Sequence, residues 1–504
     1  MKPKYYITTP IYYVNDAPHI GHTYTEIAAD ALARWKRMQG YDVMFLTGTD
    51  EHGMKIASSA ADFSRTPQEH VDINCQKFID AWERMEISYD DFIRTTQKRH
   101  KNTIQYIFSR LHEKGDIYKG TYSGWYCKPC ESYWTDFQLQ DKKTCPDCAR
   151  QVEKIEEEAY FFALSKYQDK LLKYINANPD LIRPQSRRNE VIKFVESGLK
   201  DFNVSRTNFT WGIQVPFDTK HVIYVWFDAL INYISAIGYP DDKDKFGKWW
   251  PADAHLMGKE IVRFHAVIWP AILMALDLPL PKIIFGHGWW TVEGQKMSKS
   301  KGNVVDPMKL ADEFGLDAVR YFLMREVPFG ADGDFSRSSL ISRYNSDLAN
   351  DLGNLVSRTL TMIDKYFGGK VPEASKMTDS NPDAIFSELI IETPKKYSEA
   401  MDNILLSEAL SFVWGLISFA NSYIEQKAPW ALAKRGKTQE LANVMVNLFE
   451  ALRLVSVLIC QFMPAPSKEM RGQLGLNKEA VNCDILEKDI TVKKGSPMFP
   501  RLAK

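Results

Sequence analysis

The strongest constraint on this chain lies in its first forty residues. Tyr5 to Val14 read "YYITTPIYYV", a run of aromatic and β-branched side chains that suits a buried strand. Soon after, in "TYTEIAADALARWKRM", Ile27, Ala31, Leu32 and Trp35 recur at helical spacing. Between them stands "APHIGH", residues 17 to 22. Strand, turn and helix make the first unit of an α/β fold. At such a helix start the unpaired backbone N–H groups and the positive end of the dipole favour a phosphate. Gly21 lets a bulky ligand approach the backbone, and His19 and His22 can each donate a hydrogen bond there. Taken alone, a capping turn whose histidines face water is the alternative.

Later runs extend the α/β pattern. "YDVMFLTGTD" and "PKIIFGHG" are apolar and end in glycine and polar residues, as parallel strands feeding a ligand edge do. From Tyr344 onward the character changes. "LLSEALSFVWGLISFANSYIEQ" and "ELANVMVNLFEALRLVSVLICQF" carry long helical patterns, which predict an α-helical bundle.

Four of the seven cysteines fall in "YCKPC" and "TCPDC", two C-x-x-C turns separated by fourteen residues. Cys127, Cys130, Cys145 and Cys148 can present four thiolates to one tetrahedral ion, predicting a structural zinc with no open position for chemistry. Reduced thiols or a redox pair are the alternative. The flanking "YKGTYSGW" and "EKIEEEAYFFAL" read as short strands around a small knuckle. Cys75, Cys460 and Cys483 are scattered, and an odd total argues against a disulfide framework.

Zero formal net charge means that any nucleic acid must be held by local patches rather than a global basic field. "MKPKYYITTP" lacks the long apolar segment of a signal peptide, and no apolar run is expected to reach the roughly 18 residues needed to span a bilayer. A cytoplasmic protein without a membrane partner is the expectation.

A second unusual string is "VEGQKMSKSKGNVVDP", residues 292 to 307. Lys296, Lys299 and Lys301, with two serines and flanking Gly294 and Gly302, describe a phosphate-seeking loop, or by themselves a solvated basic loop. KMSKS at 296 to 300 together with HIGH at 19 to 22 resembles the two signatures of class I aminoacyl-tRNA synthetases. "GYDVMFLTGTDEHG", "YVWFDALINYI", "GKEIVRFHAVIWPAIL" and "FGHGWWTVEGQKMSKS" narrow the resemblance to the methionyl-tRNA synthetase family. It runs nearly end to end. The closing "SPMFPRL" is similar to the end of the family's common core, so the chain resembles the short form without an OB-fold tRNA-binding domain, and a monomer is expected.

The resemblance implies a Rossmann-like catalytic domain with a zinc-knuckle connective insert, followed by an all-α anticodon-binding helical bundle. Its expected boundaries are 1–116 and 221–290 for the catalytic halves, 117–220 for the insert, 291–345 for the KMSKS loop and linker, and 346–504 for the bundle. It implies ATP, L-methionine and tRNA(Met) as partners, with Mg2+ accompanying ATP and one Zn2+ per chain. His19, His22, Lys296 and Lys299 would be catalytic, and together with Gly21 and Ser298 would bind ATP. Ile11, Tyr13, Trp226, Ala229, Leu230, Tyr233, Ile283 and His287 resemble the lining of a methionine pocket, where aromatic walls suit a polarizable thioether. Asp50 is similarly placed to pair with the ammonium, or else caps a helix near Glu51. "NDLGNLVSR" and "KAPWALAK" carry over Asn354, Arg358, Pro429 and Trp430 as anticodon contacts, residue types that suit stacking on loop bases and bonding to their edges. A tryptophan after proline is alternatively a buried helix-start anchor.

Two competitors stand beside this reading. Leucyl-, isoleucyl- and valyl-type relatives share both signatures but carry an editing domain that 504 residues do not easily hold. A non-catalytic tRNA-binding or zinc-knuckle protein conflicts with two intact signatures. ATP–pyrophosphate exchange with a panel of amino acids separates all three.

Overall fold

The computed structural model describes residues 2–14, 17–130, 132–134, 139, 143–146, 148–296, 303–373, 384–476 and 490–502. Two compact units form: Met1–Pro18 with Gly40–His287, and His19–Gln39 with Gly288–Lys504.

A six-stranded sheet organises the first unit, in the order Asp91–Arg94, Asp42–Asp50, Lys4–Tyr13, Ala254–Gly258, Ile284–His287, Ile182–Arg183. Every neighbouring pair is parallel. Parallel strands covered on both faces read as continuous apolar runs, which is why all of Asp42–Asp50 after its first residue is buried. From the central strand Lys4–Tyr13 the chain builds outward on one side; on the other the edge strand Ile182–Arg183 is laid down first, and Ala254–Gly258 and Ile284–His287 then fill the space between. Ligands of such sheets bind outside the carboxyl ends at this switch point, and Tyr13, Asp50, Arg94, Gly258 and His287 end their strands there.

The insert is built on one antiparallel hairpin. Its strands Ile117–Cys127 and Glu153–Phe162 are longer than the short flanking pieces expected, eleven and ten residues in register from Ile117↔Phe162 to Tyr126↔Glu153. Alternating aromatic and polar residues suit strands with one wet face.

In the second unit, the helix Ile20–Met38 is tied to helices from far along the chain. Trp35 Nε1 and Lys36 Nζ donate to Asp402 Oδ1 at 2.9 and 2.7 Å, and Arg320 is buried against Asp30. A small sheet of Trp290–Val292, Gln295–Lys296 and Gly333–Phe335 precedes the bundle, whose longest helices are Leu406–Lys427 and Thr438–Leu458. Contrary to the expectation of no such segment, Thr438–Leu458 is long and apolar enough to cross a membrane by composition. With 72% of its most apolar window buried inside the bundle, core packing accounts for that composition.

Candidate active site

The histidine turn caps its own helix. His19, in an extended conformation at the N-cap of Ile20–Met38, accepts the Gly21 N–H at Nδ1 (3.1 Å), while His22 Nδ1 accepts the His19 N–H (3.3 Å). This is a capping box made of two imidazoles, with the rings stacked 3.8 Å apart and 17° from parallel. Both Nδ1 atoms accept, so each neutral ring carries its proton on Nε2. Desolvation, with His19 beside it, holds the His22 imidazole well below the ordinary histidine range. Two rings are therefore set as Nε2–H donors at a helix N-terminus, where an anion is favoured.

The same turn is tied to the lysine string: the Ile20 N–H donates to the Val305 carbonyl at 3.2 Å. Upstream of that string, Trp290–Val292 turns into Gln295–Lys296 through Glu293 and Gly294, both at positive φ (51° and 72°). Two such residues make the tight turn whose twist matches a hairpin. Asp334 Oδ1 pins it, accepting from Gly294 N–H at 2.8 Å and Thr291 Oγ1 at 2.6 Å. Lys296 ends the hairpin strand; Ser298 and Lys299 lie outside the described residues.

Several expected methionine-pocket residues gather at the carboxyl edge of the parallel sheet. Ile11 pairs with Gly48 and Tyr13 with Asp50; His287 pairs with Gly258, whereas half-buried Ile283 precedes the same strand and so stands at its amino end, not at this edge. Asp50 is buried, and the next residue is locked: Glu51 receives Arg94 Nε at 2.6 Å and Thr49 Oγ1 at 2.7 Å, and its carbonyl receives Trp211 Nε1 at 2.6 Å. The following helix starts at Met54 with Gly53 as N-cap, so Asp50 is not its cap.

Trp226 lies in the first turn of Val225–Leu230, half-buried, with its ring stacked on Phe264 at 3.8 Å and 7°. Its indole N–H has no hydrogen-bond partner among the described residues. Ala229 and Leu230, later in the same helix, are buried, and Leu230 belongs to the main core. Tyr233 is fully buried in that core, its hydroxyl 2.7 Å from His265 Nε2. His265 Nδ1 donates to the Ile261 carbonyl at 2.9 Å, which leaves Nε2 to accept from Tyr233. Burial pushes His265 down to about 4, keeping it neutral.

Beneath Trp226 sits a charge network that sequence reasoning did not find. Asp228 is 1% exposed and bonded to His52 Nδ1 and His100 Nε2, each at 2.7 Å; His100 Nδ1 meets Ser235 Oγ at 2.8 Å. Burial alone would raise the Asp228 carboxyl, but its electrostatic interaction with His52 and the hydrogen bonds from both imidazoles bring it down to about 2. Phe264 was missed too. It opens the π-helical segment Phe264–Ile268, a break common at functional sites, and only the aromatic pair around "RFHAVIW" hinted at it.

The four cysteines converge. Cys127 and Cys148 sulfurs stand 3.6 Å apart, Cys145 and Cys130 3.8 Å, and all four lie within 4.8 Å of one another. A tetrahedral thiolate site with metal–sulfur bonds near 2.3 Å has edges of about 3.8 Å. The cluster fits a metal ion.

In the bundle, exposed Asn354 begins the helix Asn354–Phe367, and Arg358 one turn on reaches Glu425 at 2.6 Å. Ala428, at φ 44°, ends Leu406–Lys427 and turns directly into Pro429–Lys434. Pro429 is buried at the first helical position, whereas Trp430 is 46% exposed. That exposure weighs against the core-anchor alternative.

The family model for class I tRNA synthetases (M) matches residues 5–154 and 148–360, and that for the anticodon binding domain of methionyl tRNA ligase matches 371–499. Curated methionine–tRNA ligases from Caldanaerobacter subterraneus subsp. tengcongensis and Thermotoga maritima are 57% and 48% identical, covering 100% and 99% of this chain and 79% and 80% of their own lengths. Among solved structures, Mycobacterium tuberculosis methionyl-tRNA synthetase in complex with methionyl-adenylate is 42% identical, with a TM-score of 0.95 over 99% of this chain and 100% of that one. Its apo form is 39% identical, with a TM-score of 0.88 over 100% and 99%.

Proposed function

Because this chain belongs to the methionyl-tRNA synthetases of class I, we propose that its histidine turn, lysine loop and strand-end pocket divide the labour of activating methionine. The enzyme is a methionine–tRNA ligase: it converts L-methionine and ATP to methionyl-adenylate and pyrophosphate, then transfers methionine to the 3′-terminal adenosine of tRNA(Met), for translation initiation and elongation.

In the first step a methionine carboxylate oxygen attacks the α-phosphorus of ATP and pyrophosphate departs. No covalent bond to the protein is needed, so catalysis rests on positioning and on donors aimed at developing negative charge. His19 and His22 supply Nε2–H donors, supported by the backbone bonds that fix their tautomers. Lys296 and Lys299, with Ser298, meet the pyrophosphate portion. Mg2+ carried on the ATP phosphates supplies further charge neutralisation when bound.

Trp226, backed by Phe264, walls the thioether together with Ile11, Tyr13, Ala229, Leu230, Ile283 and His287. Tyr233, anchored by His265, closes the floor. Asp50 pairs with the ammonium. Cys127, Cys130, Cys145 and Cys148 hold a structural Zn2+, which supplies folding energy to the insert. Asn354, Arg358, Pro429 and Trp430 form the anticodon contact, and the enzyme acts in the cytoplasm.

The observation that carries the activation chemistry is the bond from Ile20 N–H to the Val305 carbonyl, which holds the histidine turn against the segment leaving the lysine loop. ATP–pyrophosphate exchange with a panel of amino acids tests the reading. Methionine alone should drive fast exchange; equal exchange with leucine or isoleucine, or none with methionine, would refute it.

A further inference from the structure

Away from the cysteine cluster, Glu158, Asp218 and His221 place one ligand atom each within 4.8 Å of the others. His221 Nε2 stands 3.6 Å from Glu158 Oε1 and 3.7 Å from Asp218 Oδ2. Tetrahedral nitrogen and oxygen ligands at bonds near 2.1 Å are separated by about 3.4 Å, so these edges need only a small contraction to close on an ion. His221 is 1% exposed, with Nδ1 3.0 Å from Ser205 Oγ. Ser205 Oγ already accepts the Tyr160 N–H at 2.8 Å and has a second lone pair for a proton on Nδ1. That arrangement leaves the Nε2 lone pair aimed at the two carboxylates, an oriented ligand imidazole.

Lys119 stands between the two carboxylates. Lys119 Nζ itself bridges them, at 2.7 Å from Glu158 and 3.0 Å from Asp218, and Tyr160 donates to Asp218 at 3.1 Å. The ammonium is the competitor for the site. Lys119 is 40% exposed, and exposed ion pairs add little to stability. A divalent cation therefore displaces it at small cost.

We propose that Glu158, Asp218 and His221 form a second divalent-cation site, taking Zn2+ or a similar borderline ion with water in the remaining position. Imidazole and carboxylate oxygen are both usual ligands of such ions, and three protein ligands leave a position for water. The place matters for the enzyme. Asp218–Ile223 runs straight through Tyr224 into Val225–Leu230, the helix that carries Trp226 and Asp228. An ion here clamps the insert hairpin strand Glu153–Phe162 to the strand that leads into the methionine wall.

The test is calorimetric titration of the full-length protein, without a polyhistidine tag and with its resident metal counted beforehand, using Zn2+ as the probe. Wild type should take up one further equivalent. Glu158→Gln, an exposed change that leaves the fold intact, should weaken that uptake about tenfold or more, and Lys119→Met should strengthen it. Cys145→Ser should leave the Glu158-dependent equivalent in place. No further equivalent in wild type, or equal uptake by Glu158→Gln, overturns the proposal.

Discussion

Arg320 and Asp30 form an ion pair with both side chains fully buried. It joins the helix that begins at the histidine turn to the helix Leu316–Arg325. Arg320 also donates to the Phe462 carbonyl at 2.9 Å and the Gln461 carbonyl at 3.2 Å, so one guanidinium ties two segments to its own helix. Removing one partner of a buried pair typically destabilises by about 3–5 kcal/mol; Asp30 keeps Arg34 Nε at 2.7 Å, which puts Arg320→Met at the lower end of that range. Arg320→Met should show a loss of that order in denaturant unfolding, and Asp30→Asn in the same chain should recover part of it. A loss under about 1 kcal/mol would mean that the pair is not holding the helix.

The Trp226–Phe264 stack gives a separate test at the pocket. Phe264→Ala removes one ring of a pair worth about 0.5–1.5 kcal/mol and should raise the methionine KM several-fold in exchange assays, with kcat nearly unchanged and Phe264→Tyr restoring the parental value. Lys299→Ala should show the opposite pattern, a strongly reduced activation rate with little change in methionine KM, because that lysine acts as charge develops on pyrophosphate. Matching kinetic patterns from the two variants would contradict the division of roles.

Asp228 predicts an acid limb of stability. Its folded-state carboxyl titrates at about 2, below the ordinary aspartate value, so the unfolded chain binds its proton first as pH falls. The contribution, on the order of 2 kcal/mol, is complete above the unfolded-state value near 4 and is lost on descending toward about 2. Melting temperature followed through that window should fall less steeply in Asp228→Asn than in wild type, from a lower starting point. Parallel curves would assign the acid sensitivity to other groups.

Zinc removal is expected to act on the insert. Chelation, or Cys145→Ser, should loosen the hairpin Ile117–Cys127 and Glu153–Phe162, raising amide exchange there while the parallel sheet remains protected. Metal analysis that finds no zinc in active protein would remove the ion from the structural account.

What the sequence made legible, and what it hid, follows from range. HIGH and KMSKS are short strings whose chemistry is local, the C-x-x-C turns carry their spacing with them, and bundle helices announce themselves by period. Asp228, His52 and His100 meet only after 128 and 176 residues of separation are folded away, and no periodicity relates them. Phe264 begins a π-helical segment, so its direction departs from the helical pattern that the sequence suggests. In the sequence the histidines of the turn read either as ligands or as a capping turn; that the cap is built from both rings, and so fixes their tautomers, needed the backbone geometry. Asp50 and Trp430 were ambiguous for a different reason: whether a carboxylate caps or an indole packs depends on where the neighbouring helix starts and which face is buried.

Trp430 offers the sharpest remaining test, because its exposure separates binding from stability. A side chain that is 46% exposed contributes little to the core, so Trp430→Ala should leave the melting temperature near the parental value, within the half kcal/mol or so usual for surface changes. ATP–pyrophosphate exchange without tRNA should also be unchanged. If the indole stacks on an anticodon base, its loss removes roughly 1–3 kcal/mol, and kcat/KM for tRNA aminoacylation should fall about tenfold to hundredfold. Asn354→Ala, on the exposed start of its own helix, should weaken the same step without lowering stability. Unchanged aminoacylation in both variants would take this face of the bundle out of anticodon recognition; equal loss of exchange and aminoacylation would return Trp430 to a structural role despite its exposure.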